Sequence, residues 1–263
     1  MENLSGPEKS SAEGYRPTYI RPPGLEFAMG IALFAMVLLV FLLLQAAVFF
    51  RAIIVRTPEF ANSSFSIQWL DDPVFQARMS ELAFNGDIVA SEALWSGGIC
   101  TALILLTVWL WKRGHTRSFL GLRMARPRQF LIWMGIFLLL AIAIEALSFI
   151  SPSFSTDFME KILGSTTNMT LLVIGVGLLG PLFEEFLLRG LLYGSIRHLA
   201  DEHVTVALTA GVFTLMHQQY EPAVILLILP MGIVLGYARA RTGSIWVPVL
   251  LHVVNNIVSL VVP

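Results

Sequence analysis

The stretch that decides the fold is TLLVIGVGLLGPLFEEFLLRGLLYGSIRH, at residues 170–198. It is long enough to cross a bilayer, because about 20 residues at about 1.5 Å per residue span the hydrocarbon. Glu184, Glu185 and Arg189 interrupt its apolar run. A charge at the bilayer centre costs at least about 2.5 kcal/mol, so these residues indicate a functional site.

Further apolar runs lie on both sides of this segment. Their approximate bounds are 27–50, 93–111, 129–150, 204–219, 222–239 and 244–262. Only 13% of the residues are charged and 56% are hydrophobic, whereas soluble proteins carry roughly 25% charged residues. The sequence therefore predicts an all-α, polytopic transmembrane helical bundle of about seven spans, with a polar site buried in the membrane between the last four.

The composition divides the chain into three regions. Residues 1–26 are predicted to be a disordered cytosolic tail. Residues 27–169 are an N-terminal membrane region of about three spans, whose loop at 51–91 is expected to hold a short amphipathic helix on the membrane surface. Residues 170–263 form the core with the buried polar groups. The single cysteine, Cys100, excludes disulfide frameworks and cysteine-based zinc sites, and the net charge of −1 gives no reason to expect a nucleic acid partner.

The basic residues predict the orientation. The loop at 112–128 holds six Lys and Arg residues and no acidic one, so it is expected to be cytoplasmic. Alternation then places the N-terminus inside and the loops at 51–91 and 151–169 outside. Arg239 and Arg241 would mark the cytoplasmic end of the sixth span. The pattern suits an integral, multi-pass protein whose partner is the lipid bilayer. A bacterial inner membrane is favoured over the endoplasmic reticulum.

The two adjacent glutamates have different expected partners. Glu185 and Arg189, four residues apart, can pair on one helix face. Glu184 points about 100° away, and a desolvated carboxylate without a cation suits a general base or acid. The alternative is that both glutamates neutralise Arg189. Pro181 is expected to kink the helix and leave the Gly177 carbonyl without a partner, which supports a cavity near Glu184.

Two other segments bring polar groups to a similar depth. His217 ends a Phe213–His217 segment, and His252 and Asn256 lie on one helix face. All lie about 12–20 Å from the cytoplasmic ends of their spans, which favours one shared site. Neutral histidine and amide groups can donate to an oxyanion. The alternatives are a packing histidine and an interhelical contact of about 0.6–2 kcal/mol.

These segments match three motifs in order: EExxxR, FxxxH and HxxxN. In them the sequence resembles the CPBP family of intramembrane proteases, which groups type 2 CAAX prenyl proteases with bacterial bacteriocin-processing and self-immunity proteins (the Abi family). The resemblance covers about residues 170–260. It implies hydrolysis of a peptide bond in a membrane-associated substrate, either prenylated and CAAX-type or a bacteriocin or other peptide precursor.

The resemblance also assigns roles. The motif residues fall on Glu184, Glu185, Arg189, His217, His252 and Asn256. The first glutamate and the FxxxH histidine would activate a water, the HxxxN pair would stabilise the oxyanion, and the second glutamate and the arginine would support the site. The family has been described both as metalloproteases and as glutamate-dependent proteases. The two histidines, a glutamate and the carboxamide could bind a divalent metal such as zinc. No HExxH motif is present, and we favour a metal-free site with no other cofactor.

Two other classes of function compete with a protease. A non-catalytic membrane scaffold or a self-immunity protein has no need to bury Glu184. A transporter could use a mid-membrane carboxylate to relay protons, but the chain has no evident repeated halves.

Overall fold

The computed structural model describes residues 22–61, 65–151, 154 and 158–261. Throughout these residues the fold is helical, without a β-strand. The helices are α1 (Pro23–Arg56), α2 (Pro73–Leu82), α3 (Gly86–Lys112), α4 (Thr116–Leu120), α5 (Pro127–Ile150), α6 (Phe158–Ser165), α7 (Met169–Ile196), α8 (Glu202–Leu215), α9 (Pro222–Thr242) and α10 (Trp246–Val261). Most of the predicted tail at 1–26 lies outside the described residues, and α1 already begins at Pro23.

The predicted polytopic helical bundle is confirmed. The helices long and apolar enough to cross a membrane are α1, α3, α5, α7 and α9. The other two predicted spans correspond to shorter apolar helices, α8 with 14 residues and α10 with 16. These reach about 21 and 24 Å, less than the roughly 30 Å of hydrocarbon. Helix α8 is short because the chain turns after Leu215.

Local sequence sets several helix ends. Proline occupies an initial position in α1, α2, α5 and α9, where its missing N–H breaks no bond. Asn85 caps α3 by accepting from the Ile88 N–H at 3.2 Å. Helix α1 continues past the predicted end at residue 50, because Ile53 is buried against Phe60 and Phe75 of the following segment. That segment also contains the short helix α2.

Helix α7 lies at the centre of the bundle. Half of its apolar window is buried, against 6% for α5. It packs against α1, α3, α4, α8 and α10, while α9 contacts α5, α8 and α10. The approach to α3 is close: a β-carbon at Gly175 would overlap the Ala90 carbonyl oxygen, and one at Gly97 would lie 2.8 Å from the Leu179 carbonyl oxygen.

Two π turns interrupt α7, at Val173–Leu179 and Phe186–Leu192. A π turn bonds each N–H to the carbonyl five residues earlier instead of four and is frequent at functional sites. The α-helical turn between them, Gly180–Glu185, carries both glutamates. The candidate site therefore lies where the central helix departs from regular geometry.

Candidate active site

A buried ion pair forms the base of the site. Arg189 Nη1 donates to Glu185 Oε1 at 2.9 Å, and both side chains are fully buried. Arg189 Nη2 donates to the Gly232 carbonyl of α9, also at 2.9 Å. The pairing expected four residues apart on one helix face is present. It neutralises one of the two glutamates.

His252 of α10 lies between the two glutamates. Its Nδ1 is 2.9 Å from Glu185 Oε1, and because a carboxylate paired with arginine only accepts, Nδ1 carries the proton. Its Nε2 is 3.9 Å from Glu184 Oε2. The motif grouping placed His252 with Asn256, whereas the structure brings His252 to the carboxylates of α7.

Glu184 is the carboxylate without a cation. Its side chain keeps 21% of its exposure, yet Oε2 is buried and lacks a hydrogen-bond partner among the described residues. Glu185 Oε2 is likewise unpaired, but its Oε1 contacts both Arg189 and His252. The two neighbouring glutamates therefore differ in environment: Glu185 is held by two partners, and Glu184 Oε2 has none among the described residues.

His217 lies in the turn after α8, although the sequence placed it inside a span. Its backbone N–H donates to the Thr214 carbonyl at 3.1 Å, so the Phe213 carbonyl loses its regular α-helical partner. His217 Nδ1 lies 2.7 Å from that carbonyl oxygen. Because a carbonyl only accepts, Nδ1 carries the proton, and Nε2 of a neutral ring keeps its lone pair. The side chain thus caps the helix through Nδ1 and leaves Nε2 as a possible hydrogen-bond acceptor.

The phenylalanine of the FxxxH motif packs among the polar groups. The Phe213 ring lies 4.6 Å from the His217 ring and 5.4 Å, edge-on, from the His252 ring. The Arg189 guanidinium lies 4.7 Å from its centre. Phe213 therefore lies among polar residues of α7, of α10 and of the turn after α8.

Asn256 compensates for the first π turn. The Gly180 N–H bonds to the Gly175 carbonyl, five residues earlier. The next residue, Pro181, has no N–H, so in this register the Val176 carbonyl is left out. Asn256 Nδ2 donates to that carbonyl at 3.0 Å. The sequence analysis assigned the free carbonyl to Gly177, because it assumed α-helical spacing. One N–H of the Asn256 amide is used in the bond to the Val176 carbonyl.

Tyr220 also lies beside the site, although it belongs to none of the three motifs. It lies in the turn between α8 and α9, with its ring 6.2 Å from that of His217 and nearly parallel to it. The Phe158 ring of α6 covers it at 4.8 Å. Burial, and after it the Glu184 carboxylate, raise the pKa of Tyr220 to about 12. In the sequence, the position of Tyr220 three residues after the FxxxH histidine was the only indication that it lies beside the site.

Arg239 and Arg241 have different environments. Arg241 pairs with Glu202 at 2.6 Å and its side chain is 59% exposed, which fits a residue at the end of a span. Arg239 is 1% exposed and its Nε donates to the Arg189 carbonyl at 2.9 Å. The interpretation of both arginines as markers of the end of a span therefore fits Arg241. It does not explain why Arg239 is buried.

The described residues do not form a zinc site. A catalytic zinc takes three protein ligands and a water. Among the residues that the structure describes, no three His, Cys, Asp or Glu side chains converge as metal ligands. Glu185 Oε1 is engaged by Arg189 and by His252 Nδ1. This leaves Glu184 and His252 Nε2 as the adjacent free donors, one short of a ligand set.

Comparison with known proteins supports the motif analysis. The family described as "Type II CAAX prenyl endopeptidase Rce1-like" matches residues 166–258. The "Putative membrane peptidase YdiL" of Bacillus subtilis (strain 168) is 26% identical over 97 residues, which are 37% of this chain and 39% of that protein. An "Uncharacterized 24.3 kDa protein" of Escherichia coli is 30% identical over 125 residues, 46% of this chain and 54% of that protein.

The matched regions thus span about half, or less, of the length of these relatives. No solved structure matches the chain. All three motifs lie inside the region that the family covers. Over residues 166–258, which hold all three motifs, the chain is therefore similar to the type II CAAX prenyl endopeptidase Rce1-like family.

Proposed function

We propose that this chain is an intramembrane endopeptidase that hydrolyses a peptide bond of a membrane-associated substrate. The observation that carries the proposal is the Glu184 carboxylate, whose buried Oε2 has no hydrogen-bond partner among the described residues. It lies 3.9 Å from His252 Nε2, too far for a direct hydrogen bond and close enough for one water to contact both. The nearby Arg189 is already paired with Glu185.

Glu184 would act as the general base. It takes a proton from the water as the water oxygen attacks the carbonyl carbon of the substrate, and the C=O electron pair moves to oxygen. The C–N bond then breaks, and the proton passes to the leaving amine. His217 can assist this transfer through Nε2, because its Nδ1 is held by the Phe213 carbonyl.

The oxyanion would be stabilised by His252 and Asn256. When both ring nitrogens of His252 carry a proton, Nε2–H can donate to the oxyanion while Nδ1–H keeps its bond to Glu185. The second N–H of the Asn256 amide can do the same while the first keeps its bond to the Val176 carbonyl. Glu185 and Arg189 support the site by fixing the His252 ring. No step requires a metal.

The similarity to the Rce1-like family supports the substrate class that we propose. A CAAX-type prenylated protein or a bacteriocin or other peptide precursor would reach the site from the bilayer, in which the chain is a multi-pass protein. A bacterial inner membrane remains the favoured location. Both relatives named above are bacterial proteins, and the name of one includes membrane peptidase.

The test compares two intramembrane glutamates. Wild-type protein, Glu184→Gln and Glu145→Gln are reconstituted in lipid and incubated with a library of lipidated and unmodified peptides, whose products are identified by mass spectrometry. Glu145 is exposed on α5 and is the matched control. We expect cleavage by wild type and Glu145→Gln and none by Glu184→Gln. Products that appear equally with Glu184→Gln would favour a non-catalytic scaffold or self-immunity protein.

The metal-free mechanism predicts insensitivity to chelators. Treatment with a strong chelator is expected to leave the cleavage rate unchanged, because the free donors beside the water are too few for a three-ligand zinc site. The rate is measured before and after chelation and again after zinc is added back. Activity that disappears on chelation and returns with zinc would replace this mechanism by a metal-dependent one.

A further inference from the structure

We infer that Arg239 is a positioning residue for the candidate active site. None of the three motifs includes this residue. It holds the second π turn of α7 in the conformation that places Arg189, and through Arg189 fixes Glu185 and His252. Its effect on catalysis rests on the proposed peptidase function. Its effect on the geometry of His252 does not.

The π turn creates the need for Arg239. The Tyr193 N–H bonds to the Leu188 and Gly190 carbonyls. The carbonyl of Arg189, four residues before Tyr193 and its regular α-helical partner, is thereby left out of this bond. A buried carbonyl without a partner is unfavourable. Arg239 Nε donates to it at 2.9 Å, so a side chain of α9 replaces the missing helix bond.

Arg239 is itself held in one place. It is 1% exposed, and its guanidinium lies 4.9 Å from the centre of the Tyr193 ring. Its Nη2 lies 3.5 Å from the Phe119 carbonyl of α4. Gly121, with a φ of 75°, leaves room for the guanidinium, which a β-carbon there would approach to 2.5 Å. A residue that only marks the membrane boundary needs none of these contacts.

The contacts lead step by step to the reacting groups. The Arg189 backbone is fixed by Arg239, and its guanidinium spans Glu185 Oε1 and the Gly232 carbonyl, both at 2.9 Å. Glu185 in turn holds His252 Nδ1 at 2.9 Å. Because each link uses a directional bond, a shift of the π turn moves the His252 ring relative to Glu184.

Three variants test the inference. Arg239→Met removes both carbonyl contacts, Arg239→Lys keeps the charge with a single donor group, and Arg241→Met is the matched control from the exposed end of the same helix. The readouts are kcat and KM, thermal unfolding, and the ¹⁵N chemical shifts of the His252 ring, assigned with His252→Asn.

We expect Arg239→Met to lower kcat by about 100-fold with KM unchanged, as a misplacement of about 1 Å does. The His252 resonances should shift in parallel. Arg239→Lys should show a smaller decrease in kcat, because the lysine ammonium can reach one of the two carbonyls. Arg241→Met should leave all readouts as in the wild type.

A folded Arg239→Met protein with wild-type kcat and His252 shifts overturns the inference, even if its unfolding temperature is lower. If Arg239→Met does not fold, Arg239→Lys decides: wild-type values overturn the inference and a partial loss supports it. If the wild-type protein cleaves no peptide, the proposed function fails separately, and the His252 resonances alone decide the role of Arg239.

Discussion

At the scale of single residues, Glu184 and Glu185 show how one helix position changes the environment of a carboxylate. Adjacent side chains on a helix point about 100° apart. Glu185 is therefore fully buried against Arg189 and His252, while Glu184 stays partly exposed and has one unpaired oxygen.

This difference predicts opposite effects on stability. Glu185→Gln leaves Arg189 buried without its counterion, and breaking a buried pair costs about 3–5 kcal/mol. Glu184→Gln removes no ion pair with a permanent cation. Its unfolding temperature should therefore be close to that of the wild type. Thermal unfolding of the two variants in the same detergent makes the comparison. Equal losses of stability would mean that the two glutamates share Arg189.

Tyr220 gives a prediction about pH. Burial disfavours the phenolate, and the negative Glu184 adds to this, so the pKa rises to about 12 and the ring stays neutral at lower pH. Tyr220→Phe should therefore leave the shape of the pH dependence of kcat/KM unchanged below about pH 10. The profiles of both proteins are measured on one substrate. An alkaline limb that disappears in Tyr220→Phe would show that the tyrosine titrates in this range.

The sequence predicted local contacts better than distant ones. The Glu185–Arg189 pair follows from spacing on one helix. The contact between His252 and Glu185 joins residues far apart in the chain, and spacing within α10 suggested Asn256 instead. Arg239 was interpreted as a boundary residue because the burial of a charge near a helix end depends on α4 and α7, which its own segment does not reveal.

At the scale of elements, the backbone hydrogen bonds of α7 differ from the prediction, because two of its turns bond over five residues instead of four. Pro181 indicated a break, but the sequence does not show that the helix absorbs the break as a π turn. The shift from four to five residues moves the free carbonyl to Val176, where Asn256 binds it. The second π turn has no proline at all. Its cause lies in tertiary contacts such as that of Arg239 with the Arg189 carbonyl.

The packing of α3 on α7 gives an element-scale prediction. Gly175→Val would place side-chain atoms on the Ala90 carbonyl, and overpacking of this kind costs about 1–3 kcal/mol. A β-carbon at Gly135 of α5 would meet no atom within 4 Å, so Gly135→Val is the control. The free energy of unfolding should fall only for Gly175→Val. Equal values for both variants would contradict the close approach.

At the scale of the whole molecule, the orientation in the membrane is a prediction that cysteine labelling can test. Cys100 is buried, so the wild-type chain should not react with a membrane-impermeant thiol reagent. Met124 and Ile67 are each 75% exposed. In intact cells we expect labelling of Ile67→Cys but not of Met124→Cys, which should react after permeabilisation. The opposite result would invert the topology.

The length of α8 has a consequence for the surrounding lipid. Its 14 residues cover about 21 Å of a hydrocarbon layer of about 30 Å, and its Val204, Leu208 and Leu215 are exposed. Such hydrophobic mismatch is relieved by local thinning of the bilayer. Thinning would bring the polar turn at His217 and Tyr220 nearer the aqueous phase and shorten the path of water to Glu184. Hydrolysis in vesicles should therefore slow as the acyl chains of the lipid lengthen. A rate independent of chain length would show that water reaches the site by another route.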